Sequence, residues 1–434
     1  MLKALLRIDK VKAMQGNALL RQGSAILISI LLAKTALSKE GIGWYEQLLY
    51  VGYVLTSFWV TGLMQALLSR FSKIEPVKRA VFLTNVAVVF GSIGAVLMLG
   101  FWWGRHWFVP LLTGQADLPF LLPFLLFLWL NLATFLLENF YLLWDRPGEL
   151  LIFGALTYSA QLIAVVLPVW LGQGLETAVW ALAGIGGLRF IWLLARLGRV
   201  GQRGWHAQGI RMWLTSGWPL VLYAGVGTLS LSFDPWLVNY HFAGDPDMFA
   251  VFRYGARELP LAMALAAAFG TAMLPGVSAN LERALPEMRQ KSLRLYHLLF
   301  PLTLALLLSS RYWFTWVFSE AFEDSIAVFN VFLLVLISRM LFPRTVLIGL
   351  DANRAVFYFS LVELGLNVVL GFLLVVPLGL LGIAWATVIA YTVDKLVLCA
   401  WLYYRFGIAP GAYTPVGWWA GYTLLLLLSY GWTL

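Results

Sequence analysis

Apolar runs of 17 to 26 residues follow one another along the chain from about residue 19 to its last residue, each closed by a short polar or basic connection. A run of that length crosses a hydrocarbon layer of about 30 Å as a helix. The alternative spanning structure, a β-barrel, needs shorter segments that alternate apolar and polar positions, and the run FLLPFLLFLWLNLATFLL from Phe120 does not alternate. The pattern predicts thirteen helical spans at 19–37, 46–69, 80–103, 118–143, 149–171, 174–195, 211–233, 250–279, 295–318, 326–349, 355–376, 380–404 and 416–433.

The longest strongly basic connection in mid-chain, ARLGRVGQRGWHAQGIR at 195–211, divides the first twelve spans six and six. Each half opens with a span, a short connection containing glycine, and a glycine-bearing second span. The expected fold is therefore all-α and polytopic: two six-helix lobes, 1–200 and 205–404, related by an axis along the membrane normal, with an additional transmembrane helix in 405–434.

Charge then orients the spans. Connections on one side carry clusters such as Arg70, Lys73, Lys78 and Arg79, then Arg196, Arg199, Arg203 and Arg211, then Arg283, Arg289, Lys291 and Arg294. The other side holds Lys39 and Arg105 but also Asp245, Asp247, Glu320, Glu323 and Asp324. The positive-inside rule places the basic side and the N-terminus of this multi-pass chain in the cytoplasm. The opening MLKALLRIDKVKAMQG, with Lys3, Arg7, Lys10 and Lys12 and no small-residue cleavage site, reads as a retained cytoplasmic or interfacial helix. Tryptophan and tyrosine mark the span ends at Trp102, Trp103 and Trp107, at Tyr312, Trp313 and Trp316, and at Trp418 and Trp419.

Composition agrees: 61% of residues are hydrophobic and 12% charged, far from the balance of a soluble domain. The net charge of +9 follows the topology of the loops, so nucleic acid is not implied. The single cysteine, Cys399, and four dispersed histidines offer neither a disulfide framework nor a metal-ligand spacing, so no metal and no cofactor are expected.

Against that background the charges at membrane depth stand out, because each costs about 2.5–3.5 kcal/mol at the bilayer centre on insertion scales and therefore belongs beside a protein interior or a water cavity. The candidates for a substrate cavity are Lys34, Glu138, Asp234, Arg253, Arg257, Glu258 and Glu363, and Arg339 also falls within a span. Asn131, Thr134 and Glu138 form one polar stripe on a helix face; Ser360, Glu363 and Asn367 form another. For Lys34, two readings stay open, a stem that snorkels to the outer surface and a cavity lining. Asp234 precedes Pro235, so it is either the cap of a broken helical continuation or a cavity or ion ligand. Arg253 and Arg257, four residues apart, suit either lipid headgroups or a phosphate cargo, since the guanidinium fork matches phosphate oxygens and keeps its proton.

The segment NALLRQGSAILISILLAKTALSKEGIGWYEQLLYVGYVLTSFWVTGLMQALLSRF, residues 17 to 71, with Gly43, Trp44 and Tyr45 closing its loop and Gly62, Arg70 and Phe71 in its second helix, resembles the opening of polysaccharide-biosynthesis flippases of the multidrug/oligosaccharidyl-lipid/polysaccharide exporter superfamily. FDPWLVNYHFAGDPDMFAVFRYGARELP resembles the start of that family's second lobe. The resemblance implies movement of an undecaprenyl-diphosphate-linked glycan from the cytoplasmic to the outer leaflet of a bacterial inner (cytoplasmic) membrane, by alternating access through a central cationic cavity. It matches Asp234 to the family's acidic position on the seventh span and leaves Arg253 and Arg257 as cavity-side candidates. No ATP-binding motif occurs, so the implied driving force is a substrate gradient or a coupling cation.

Two rivals remain. A multidrug exporter of the same superfamily would favour acidic cavity residues for cationic cargo. A membrane glycosyltransferase or polymerase acting on lipid-linked sugars would need catalytic carboxylates on a sizeable loop, and no connection here exceeds about 20 residues.

Overall fold

The computed structural model describes residues 9–200, 204–257 and 260–433; Lys3, Arg7, Arg203 and Glu258 lie outside them. Among the described residues the chain is helical with no strand. Twelve helical segments are long and apolar enough to cross a membrane.

Six crossings precede the basic connection: α1 (Lys10–Ala33), α2 (Lys39–Phe71), α3 (Arg79–Trp103), then, after a short helix α4 (Arg105–Thr113), α5 (Leu121–Leu143), α6 (Pro147–Trp170) and α7 (Gly174–Val200). The remainder are built from α8 (Ala207–His241), α9 (Pro246–Gly255), α10 (Pro260–Ala279), α11 (Leu281–Val317), α12 (Ser325–Leu333), α13 (Leu336–Arg339), α14 (Pro343–Gly349), α15 (Asn353–Leu378) and α16 (Leu380–Phe406). The short α17 (Pro410–Tyr413) leads to α18 (Val416–Thr433), the thirteenth span expected from the sequence, which forms a helix but is not among the twelve.

The chain divides into two compact units. The first comprises Met1–Ser232 with Phe242–Ala250, and the second Phe233–His241 with Val251–Leu434. Helix α8 is thus shared: its first 26 residues, through Ser232, belong with the first unit.

In the first unit α5 packs on α7, α1 on α6, and α3 on α5, around a core that includes Phe82, Phe90, Phe140, Tyr141, Phe153 and Trp213. Two glycines of the opening motif permit close backbone approach. A Cβ on Gly43 would stand 2.0 Å from the Pro246 carbonyl oxygen, and one on Gly62 would stand 2.4 Å from the Val221 nitrogen. The Trp213 indole donates to the Leu63 carbonyl at 2.8 Å beside this second approach. In the second unit α15 packs on α16, α10 on α11 and α14, and α18 on α11.

Three expectations need correction. The span 250–279 is not one helix: α9 ends at Gly255 and α10 starts at Pro260. Proline lacks the amide hydrogen a continuing helix would use and suits a first turn, while Gly255 lies so close to α12 that a Cβ would meet Val328 at 2.6 Å. The span 326–349 is also interrupted, running as α12, α13 and α14 with Pro343 opening the last. Conversely, the backbone continues helically through Asp234 and Pro235 in α8, so Asp234 is not a cap. The α4 helix was not foreseen; it ends at Gly114 in a left-handed conformation, φ 70°. Of the aromatic anchors, Trp103, Trp107, Tyr312, Trp316 and Trp418 are exposed, as rings in the headgroup region should be.

Candidate functional site

Charged side chains inside the spans fall into separate polar clusters, each set by which faces of neighbouring helices meet. In the first unit Glu138, on α5, takes a hydrogen bond from Asn17 Nδ2 of α1 and another from the Tyr158 hydroxyl of α6, both at 2.6 Å. Arg21 stands one turn along α1 from Asn17, its Nη1 3.5 Å from Glu138 Oε2. The predicted stripe extends inward: Thr134 donates to Asn131 Oδ1, which also accepts from Arg189 Nη1 of α7. Arg189 is 1% exposed. Its Nη2 donates to the Thr157 carbonyl at 3.1 Å and to Gln161 Oε1 at 2.9 Å, and the guanidinium lies over the Tyr158 ring. A buried cation becomes tolerable when its protons find oxygens and an aromatic face in this way.

The second unit holds two such clusters. Asp234 of α8 accepts from Asn367 Nδ2 of α15 at 2.9 Å and from Thr387 Oγ1 of α16 at 2.5 Å. Farther along the same two helices, Arg344 of α14 gives Nη2 to both Glu363 of α15 and Asp394 of α16, the latter at 3.0 Å. Lys395 Nζ reaches the same Asp394 oxygen at 2.9 Å. Glu363 and Asn367, one turn apart on α15, thus serve different clusters.

Of the remaining candidates, Arg257 follows the end of α9 with its guanidinium 4.7 Å from the Tyr254 ring and 5.6 Å from the Phe318 ring. Its Nε donates to the Arg253 backbone carbonyl at 3.3 Å. Lys34 stands just beyond the last residue of α1 and is exposed. Glu258 lies outside the described residues. Arg253 and Arg257 thus lie one turn apart at the end of α9, while Glu138, Asp234 and Glu363 each occupy a cluster of their own. Arg189, Arg344, Asp394 and Lys395 were missed as candidates, although the same signal, a formal charge in an apolar run, marks Arg189, Asp394 and Lys395. Among the described residues no group of histidine, cysteine, aspartate and glutamate could hold a metal ion.

The sequence model of the family described as Lipid II flippase MurJ matches residues 155–431, more than half of the chain. The chain belongs to the MurJ family. It is a multi-pass inner-membrane transporter of the MOP superfamily, not an enzyme. Among solved structures, this MurJ-family chain is similar to "Lipid II flippase MurJ, inward closed conformation", with TM-score 0.73 and 14% identity over 97% of both chains. It is also similar to an inward-facing multidrug resistance MATE family transporter of the MOP superfamily, with TM-score 0.61 and 14% identity over 92% of this chain and 98% of that one. A MOP superfamily transporter from Pyrococcus furiosus, described as having reversed polarity in its binding pocket, gives TM-score 0.58 and 14% identity over 93% and 97%. At these identities the likeness is one of fold. No curated protein matches the chain.

Proposed function

We propose that this transporter moves a lipid-linked oligosaccharide, with undecaprenyl diphosphate as the expected carrier, from the cytoplasmic to the outer leaflet by alternating access of two lobes, 1–200 and 205–404. Membership of the MurJ family carries this reading. The cargo would present two phosphates, and two permanently charged arginines stand where α9 ends, Arg253 in its last turn and Arg257 two residues beyond it. Discontinuous helices are where transporters commonly form cargo and ion sites.

Asp234 has a different chemistry. Its carboxylate shares a cluster with an amide and a hydroxyl, and the three side chains offer oxygen ligands of the kind hard cations take. We assign it to a coupling cation in preference to the cargo. Glu138 and Glu363, each already engaged by hydrogen-bond donors or cations, fit support of the helix packing better than direct contact with an anion.

A multidrug exporter is the second reading, favoured by the MATE-like fold. Reconstitution decides between them. Liposomes carrying the protein and a fluorescent lipid-linked oligosaccharide are treated with a membrane-impermeant quencher. On our reading the inner-leaflet fraction becomes quenchable, whereas a persistently protected fraction together with export of a cationic dye would establish the alternative.

A further inference from the structure

The second unit carries an open cavity, here called the chamber, of about 340 Å³, within the size range of small-ligand sites. Its wall on α10 is mostly apolar, with Met263, Ala267 and Leu274 beside the single hydroxyl of Thr271; the facing wall carries Arg339, Arg344 and Lys395, and no carboxylate among the described residues lines it. Glu363 and Asp394 hold Arg344 from outside that lining, and Asp394 holds Lys395. The side chain of Asp394 is 1% exposed and that of Lys395 11%, so these are built positions, while Arg344 at 34% remains accessible.

Donor capacity is left over. Both recorded bonds of Arg344 use Nη2, and its buried Nε has no hydrogen-bond partner. A guanidinium has five N–H donors and an ammonium three, so Arg344 and Lys395 can hold their carboxylates and still meet another anion. The arrangement joins cations fixed by buried acids to an apolar wall on the opposite side. Those features match a phosphate attached to hydrocarbon.

We propose that this chamber binds the phosphate of an amphiphile, with Arg344 and Lys395 meeting the phosphate oxygens and the α10 wall taking the start of the apolar chain. The site is separate from the Arg253 and Arg257 pair and stands independently of the cargo proposed above, because membrane phospholipids and a polyprenyl carrier both present this chemistry. Arg344 lies in the first turn of α14 on the side that the basic connections assign to the cytoplasm, which places inner-leaflet phosphates nearest.

The test is native mass spectrometry of the full-length protein, purified in detergent and stripped of lipid. It is offered phosphatidylglycerol, diacylglycerol with the same chains, or undecaprenyl phosphate, each with and without inorganic phosphate. Expected is retention of a phosphate-bearing lipid over diacylglycerol by on the order of tenfold, the worth of one charge-assisted contact. Retention of phosphatidylglycerol alone identifies a membrane phospholipid as the ligand, and of undecaprenyl phosphate alone a polyprenyl carrier. Retention of both identifies the shared headgroup, and displacement of either by inorganic phosphate identifies the phosphate as the recognised part. The charge-neutral variant Asp394→Asn/Lys395→Gln removes one cation with its holder, and Ala267→Phe fills the chamber from the apolar wall without altering charge. Both should lower retention to the diacylglycerol level while eluting as monodisperse protein. If the double variant does not fold, Ala267→Phe decides alone. Equal retention of diacylglycerol, or wild-type retention by Ala267→Phe, would overturn the proposal, and because the readout is binding, it can fail while glycan transport stands.

Discussion

Replacing Arg344 with Gln should destabilise the protein far more than an ordinary substitution at a helix end. The guanidinium touches both Glu363 and Asp394, whose side chains are 15% and 1% exposed. Without it two carboxylates remain against Lys395, whose ammonium bonds Asp394. Breaking a buried ion pair by removing one partner costs about 3–5 kcal/mol. Arg344 is itself 34% exposed, which moves the expectation to the lower end, about 3 kcal/mol or somewhat over a hundredfold in the folding equilibrium. Removing Glu363 at the same time, as Arg344→Gln/Glu363→Gln, restores the charge balance and should recover more than half of the loss. The single variants and the double variant form a cycle readable by unfolding in mixed micelles, with helix content as the signal. A single-variant loss below about 0.5 kcal/mol, the range of surface substitutions, would show that the cluster is solvated and would refute the reasoning.

Other consequences are independent. Arg257→Gln should reduce glycan flipping while membrane insertion is retained, and Arg257→Lys should recover only part of the activity if the guanidinium fork is used, as read by leaflet accessibility in liposomes. Gly62→Ala should cost about 1–3 kcal/mol in micelle unfolding through overpacking, since its Cβ would meet Val221 backbone at 2.4 Å and 2.5 Å; an unchanged midpoint would show that α2 and α8 can separate freely. A topology reporter after Gly204 should read cytoplasmic and one near Asp245 external, and the reverse pair would overturn the positive-inside assignment.

The helical fold was legible because a bilayer admits few solutions: long apolar runs must satisfy their backbone internally, and twelve of the thirteen expected runs overlap a crossing segment. What escaped was local. The close approach of α12 to Gly255, where α9 ends, is a contact no periodicity reveals, and the tryptophan-rich WWGRHWFVPLLT neighbourhood of α4 was hidden behind its role as an interface anchor. The polar stripes were visible as spacings, and Glu138 does belong with Asn131 and Thr134 in one interior network. Their partners were not visible. Asn367 and Thr387 meet Asp234 across 133 and 153 residues, and Arg344 meets Asp394 across 50, separations at which sequence spacing carries no geometry. Arg189 and Lys395 are a different case, since a charge flanked by apolar residues marks them without any knowledge of the fold.

The most direct test of the account compares two cargos in liposomes holding the wild-type protein: a labelled oligosaccharide on a polyprenyl diphosphate, and the same oligosaccharide on a polyprenyl ether without phosphate. If permanently charged arginines recognise the diphosphate, the first should change leaflet at least about tenfold faster, one charge-assisted contact's worth of discrimination. Equal rates for the two, or movement of neither beyond protein-free liposomes, would contradict it.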